Sequence, residues 1–400
     1  MFRTKVRKAG LQPQFPHFNL RRKKPDWYRL PLKEMTPQLR KQVVGLVRFR
    51  EKECNFDSRI RPATARSLQR TLLAFLGYCT RILRIRSITN LRSVLTLKNI
   101  EKFINWAHDV RGCRWLSVYS MCACIYQLTQ TGHQPFTGKA EEYAWFQDLL
   151  KRIPREPKDL LRQRKIARIV PYRVFTQIAR GIEKTLSVNK NLTPIQRALL
   201  YRDYFFCKTI ARHPLRGRNW RECRLRPDSQ PNLDYDTIPR RVQRDGNLPS
   251  WVRKILAVNP DQKFWRCHFI EDETKAKNDI WEVFEPEIVE IFLEYRDVHR
   301  KEILGDRPDP GTLLINNAGK PMADGQLGAH LGVLSRKYIG KRVSPHIVRD
   351  IVAEHAVVCG CKPETVQRML GQKNRLSKTA YLSGLNSSHA CGALETEFAA

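Results

Sequence analysis

From Thr64 the apolar positions Leu68, Leu72, Phe75, Leu76, Cys79, Ile82 and Leu83 recur at spacings of three and four, which predicts a helix with one buried face and Thr64 as its cap. A second helix is predicted from Thr96, with Leu97, Ile100, Phe103, Ile104 and Ala107 on one side and Gly112 placed to end it. A third runs from about Ser117 to Thr129 and a fourth from about Ala140 to Lys151. Four short helices with little strand signal predict an all-α domain over residues 44–150.

Residues 151–167 then combine Pro154 and Pro157 with a dense set of basic side chains, which argues against one continuous packed helix and predicts an extended basic linker. Beyond it the pattern is mixed. Pro171 can open a helix to about Leu186, and Thr193 with Pro194 supplies a cap and first-turn proline for a helix that stops near His213 and Pro214. FWRCHFI (264–270) and DIWEVFE (279–285) read as two strands around the polar stretch EDETKAKN, a hairpin signal. A helix from Pro286 to about His299, a short TLLIN strand and further helices follow. The expected fold is mostly α with a small β-hairpin or sheet: an all-α domain, then an α+β domain over 168–388 and a tail over 389–400.

Charge narrows the partner. Lys and Arg number 73 against 39 Asp and Glu, a net charge of +34, far more than solubility requires and best relieved by a polyanion. Fourteen of the basic residues fall in the first fifty, including Arg21, Arg22, Lys23 and Lys24 in one run, against only Asp26 and Glu34. Residues 1–43 therefore read as a mobile basic arm that settles on phosphate, with nucleic acid as the leading partner. The eleven cysteines include no CxxC pair, which excludes a zinc ribbon and a regular disulfide framework. Cys122 with Cys124, and Cys359 with Cys361, read as buried small hydrophobes. No stretch approaches 18 apolar residues and the first residues lack a signal-type apolar run, so the expectation is a soluble protein of the reducing cytoplasm with no membrane contact.

The candidate chemistry lies in the second domain. Ser344 and Pro345 form a cap and first-turn pair, which puts His346 and Arg349 on one face of the helix that follows. The helix predicted over Pro363 to Leu370 is closed by Gly371 and Gln372, and Tyr381 follows nine positions later. Upstream, Arg216 sits in HPLRGRNWRECRL just past a helix break, and Lys275 sits on the proposed hairpin. Arg216, Lys275, His346, Arg349, Gln372 and Tyr381, in this order and at these spacings, resemble the tyrosine recombinases, or phage-type integrases. The likeness covers about residues 168–388, and the helical region before it is similar to that family's core-binding domain.

The resemblance implies a site-specific DNA recombinase or integrase that cuts and rejoins duplex DNA through a 3′-phosphotyrosyl intermediate, serves a mobile element and works as a homotetramer on two DNA sites. The residue types suit that chemistry. Two guanidiniums, Arg216 and Arg349, can bind the charge that gathers on the non-bridging phosphate oxygens. Tyr381 would be the nucleophile, conserving the bond energy as a phosphotyrosine. Lys275 would protonate the departing 5′ oxygen, with Lys277 on the same face as the alternative, and His346 would donate to the phosphate or assist proton transfer. The chemistry calls for no metal and no cofactor. Three positions depart from the family pattern: Gln372 stands where His or Trp is usual, Asn219 where an acid is common, and Asp350 where a second His is frequent. The alternatives are a type IB topoisomerase or a telomere resolvase, which share the catalytic set, a catalytically weak DNA-binding protein of the same fold, and a basic RNA-binding structural protein.

Overall fold

The computed structural model describes residues 28–53, 60, 62–130, 139–225, 231–244, 248–275 and 279–371. The chain divides into two compact units with the boundary between Leu161 and Arg162.

The first unit is helical. Helices Pro37–Arg48, Pro62–Arg81, Leu97–Asn105, Trp115–Thr129 and Ala144–Arg152 enclose a core that includes Phe75, Phe103, Phe146, Ile125 and Leu149, all fully buried. Thr96 caps the helix predicted from it, its Oγ1 accepting from the Asn99 amide at 3.3 Å. Gly112, with φ at +65°, turns the chain after that helical stretch. The unit begins earlier than its basic composition suggests. Tyr28, Leu30, Met35 and Leu39 are buried in this core, and the Leu30 amide donates to the Leu73 carbonyl at 3.1 Å. A glycine makes that approach possible: a Cβ on Gly77 would stand 1.8 Å from the Tyr28 carbonyl oxygen. Residues 28–43, expected as part of a mobile arm, are thus packed against the Pro62–Arg81 helix, because their alternating apolar side chains outweigh their charge. The rest of the expected arm lies outside the described residues.

Between the units the two prolines do interrupt the helix, but the interruption is short. The chain leaves the Ala144–Arg152 helix at Ile153 and resumes as Lys158–Ile166. The second half of the stretch expected to be an extended linker is therefore a helix: Pro157 ends the break, and the run that follows is rich in good helix formers.

The second unit packs helices around a small antiparallel sheet. Thr193 and Gln196 form a reciprocal capping box at the start of helix Pro194–Arg212, which runs through the core and ends at His213 as sequence suggests. Strands β1 (Leu233–Thr237), β2 (Lys263–Phe269) and β3 (Ile280–Val283) pair in sequence order. The predicted hairpin is β2 with β3, in the register Arg266↔Val283 to Phe269↔Ile280. Composition did not signal β1, whose LDYDT is too polar and short, nor helices Arg240–Arg244 and Ser250–Val258, which fill the β1–β2 connection around a satellite core of Val242, Val252, Leu256 and Phe264. The TLLIN segment is not a ladder strand. Thr312 and Ile315 make isolated bridges, while Leu313, Leu314 and Ile315 are fully buried, so its apolar run reports burial rather than pairing. Trp220, Phe205, Phe269, Phe284, Phe292 and Tyr295 make up the aromatic part of the main core. Cys122 is buried and Cys124 partly so, as expected. Cys359 and Cys361 are exposed, because they follow the end of helix Pro345–Val358 rather than lying on its inner face.

Candidate active site

Four of the six predicted site residues are described, and three of them come together. His213 ends helix Pro194–Arg212, and the next turn, Pro214 to Arg216, leads into the short helix Gly217–Arg221. Arg216, at the cap of that helix, is half-buried. The N-terminus of helix Pro345–Val358 lies against the same turn, since a Cβ on Gly217 would meet the Pro345 ring at 3.4 Å. Ser344 caps that helix through the Ile347 amide, which sets His346 and Arg349 in its first turns.

Arg349 is buried, and its guanidinium ties three segments. Nη1 donates to the Pro214 carbonyl and Nη2 to the Leu370 carbonyl. Arg216 Nη1 reaches the next carbonyl, Gly371, at 3.5 Å. Two guanidiniums thus converge where helix Pro363–Met369 ends, one residue short of Gln372. Gln372 and Tyr381 themselves lie outside the described residues.

His346 belongs to this cluster and is reached by solvent. Its pKa is held below that of a free imidazole: partial burial disfavours the charged ring, Asp350 works against this, and Lys165, Arg349 and Arg216 add repulsion. The imidazole therefore stays neutral over more of the pH range, able to accept at one nitrogen and donate at the other. Lys275 is exposed on the connection between β2 and β3, just after the turn Glu271–Glu273, with no hydrogen bond or ion pair to another described residue. Lys277 lies outside the described residues.

Two residues support the site in ways the sequence did not single out. His213 is buried between two carboxylates, Nδ1 at 2.9 Å from Glu282 and Nε2 at 2.8 Å from Glu285. Burial opposes its charge, but the two hydrogen bonds outweigh it and raise the pKa to about 9. The charged ring thereby fixes the turn that carries Arg216 to strand β3 and to the start of helix Pro286–Glu294. Lys165 reaches Asp350, Nζ to Oδ1 at 3.1 Å. Nothing in the spacing of the linker residues marks Lys165 apart from its basic neighbours. Asn219, at the position where an acid was expected, is buried with its Nδ2 unbonded to any described residue, and Trp220 beside it is core.

Among the described residues no group of His, Cys, Asp or Glu could hold a metal ion, and no helix is long and apolar enough to cross a membrane.

No family model and no curated protein matches the sequence. Solved structures do. The XerH site-specific recombinase bound to difH substrate, in a pre-cleavage complex, aligns with a TM-score of 0.52 at 11% identity, over 88% of this chain and 96% of that one. The same recombinase on palindromic difH substrate, in a post-cleavage complex, aligns with a TM-score of 0.52 at 12% identity, over 88% and 95%. At such identity the likeness concerns backbone architecture, and it extends through both units. The chain has the mostly helical fold of the tyrosine recombinases, the family its own residues resemble.

Proposed function

We propose that this chain is a site-specific DNA recombinase or integrase, which breaks and rejoins duplex DNA through a 3′-phosphotyrosyl intermediate and serves a mobile element. The observation that carries this reading is the convergence of Arg216 and Arg349 on the adjacent carbonyls of Gly371 and Leu370, beside the neutral-leaning His346. A scissile phosphate placed there gathers negative charge on its non-bridging oxygens as Tyr381 attacks phosphorus. The two guanidiniums are held in advance where that charge develops, so they need little reorganisation when it appears. His346 donates to the phosphate or relays a proton, and Gln372 offers its amide to a phosphate oxygen. The 5′ oxygen leaves with a proton from Lys275, and attack by a 5′ hydroxyl on the phosphotyrosine reverses the path.

The helical unit and the basic residues would hold duplex DNA in the cytoplasm, and exchange between two sites would bring four copies of the chain together. The XerH structures, captured before and after cleavage on their DNA, support the same substrate class for this fold. The test is covalent capture on nicked suicide substrates cut from the DNA that flanks the gene. Wild-type protein should yield a denaturant-resistant adduct and Tyr381→Phe should bind the DNA but give none. An adduct that survives Tyr381→Phe overturns the assignment, and relaxation of supercoiled DNA without exchange between two sites would favour a topoisomerase.

A further inference from the structure

Asp350 directly follows Arg349 on helix Pro345–Val358, and its side chain is 1% exposed. Neither carboxylate oxygen takes a well-formed hydrogen bond from a described residue. Its charge is met by Lys165, whose Nζ stands 3.1 Å from Oδ1. Lys165 comes from helix Lys158–Ile166, about one turn past the boundary of the second unit at Arg162. A carboxylate this deeply buried is tolerated only beside a counter-charge, so burial fixes the pair in a way that a surface ion pair is not fixed.

The pair faces the catalytic cluster. Asp350 is four residues after His346 on the same helix, hence on the same face. The charged groups acting on the His346 ring are Asp350 and Arg349 from its own helix, Lys165 from the linker helix and Arg216 from the turn after Pro214. Asp350 is the acid among them.

We propose that Asp350 is the positioning carboxylate of this site, and that Lys165 seats it so that His346 and Arg349 keep the register the phosphate requires. This rests on the recombinase reading above. Without Lys165 the carboxylate keeps its charge but draws the neighbouring cations, His346 and Arg349 among them, toward itself, which disturbs the two side chains that meet the phosphate.

The experiment uses the full chain with isotope-labelled histidine. The His346 resonance, assigned with His346→Gln, is titrated by NMR in wild type, Asp350→Asn, Lys165→Met and Lys165→Arg, and each protein is assayed for covalent capture of nicked DNA. Asp350→Asn should shift the His346 titration to lower pH and Lys165→Met to higher pH. Both should reduce capture at neutral pH at least tenfold and move its pH profile in the same direction as the imidazole, whereas Lys165→Arg should restore most of each. An unmoved His346 titration in Asp350→Asn and Lys165→Met, or undiminished capture in both, overturns the proposal. Should Asp350→Asn fail to fold, the comparison of Lys165→Met with Lys165→Arg decides, since Lys165 is partly exposed. Absence of any Tyr381-dependent adduct from wild type would instead overturn the recombinase reading, while the titration would still decide whether the pair governs His346.

Discussion

Arg216 and Arg349 hold the carbonyls of consecutive residues: Arg216 Nη1 lies 3.5 Å from Gly371 O, and Arg349 Nη2 donates to Leu370 O. They do so from different depths. Arg349 is buried and has a second carbonyl, that of Pro214, whereas Arg216 is half-buried at the rim.

The difference in depth separates two variants that chemistry alone would treat alike. Arg216→Ala and Arg349→Ala should each slow DNA cleavage by about 10²- to 10³-fold, the usual consequence of losing one donor to developing charge. Arg349→Ala should also lower stability, by roughly 2 to 4 kcal/mol and by more than Arg216→Ala, because it strips charge-assisted bonds from two buried carbonyls. Denaturant melts beside single-turnover cleavage measure both quantities. Equal stabilities for the two variants would contradict the bridging role of Arg349.

Lys275 projects from the β2–β3 connection without a described partner, as a group that meets its target only on DNA should. If it protonates the leaving 5′ oxygen, Lys275→Ala should cut normal DNA very slowly and recover on a substrate with sulfur at that bridging position, because a thiolate leaves without a proton. Arg216→Ala should show no such recovery. Recovery confined to Lys277→Ala would hand the role to Lys277.

The pH dependence of folding should report His213. Its folded pKa of about 9 lies above the 6.5 of a free imidazole, so the stabilisation is present in full below pH 6.5 and is lost as pH rises through 9. The loss should be on the order of 3 kcal/mol, from the size of that shift. His213→Gln should flatten this part of the profile, which urea midpoints at pH 6, 7.5 and 9.5 would show. A wild-type protein equally stable at pH 6 and 9.5 would mean that the ring is not charged between Glu282 and Glu285.

Truncation must respect where the first core begins. Removing residues 1–40 would take out Tyr28, Leu30, Met35 and Leu39 and unfold the helical unit. Removing residues 1–26 leaves those side chains and deletes eight Lys and Arg. That shorter protein should bind DNA more weakly, and its log K should fall less steeply with log salt, the slope shrinking by about 0.9 for each phosphate left without its cation. An unchanged slope would mean that this segment does not touch DNA.

The helices, most of their caps and the hairpin were legible because each has a local signature: Thr96, Thr193 and Ser344 as caps, the three-and-four spacing after Thr64, and the alternation around EDETKAKN; Thr64 itself is no cap, since its helix already starts at Pro62. Arg216, His346 and Arg349 were legible as a set because their order along the chain resembles a family. Lys165 was not, since a lysine among lysines and arginines shows its partner only in three dimensions. The segment at Tyr28 to Leu30 was hidden for a related reason: what anchors it is the missing side chain of Gly77, a residue that a helical pattern registers only as a weakness. Strand β1 escaped notice because its pairing to β2, and not its own composition, makes it a strand.

The hydrogen bonds of Arg349 also bear on when this protein becomes active. Its two carbonyl partners lie 135 residues before it and 21 after it in the chain. A guanidinium that needs both cannot be seated until the whole span from Pro214 to Leu370 has been synthesised and has collapsed, a late step because distant segments must meet before any interaction offsets the lost chain entropy. A ribosome-bound or prematurely terminated chain could fold its first helical unit and meet DNA while unable to cut it. On the recombinase reading, strand breakage would then await synthesis and collapse of the chain at least through Leu370, a delay set by connectivity rather than by any inhibitor.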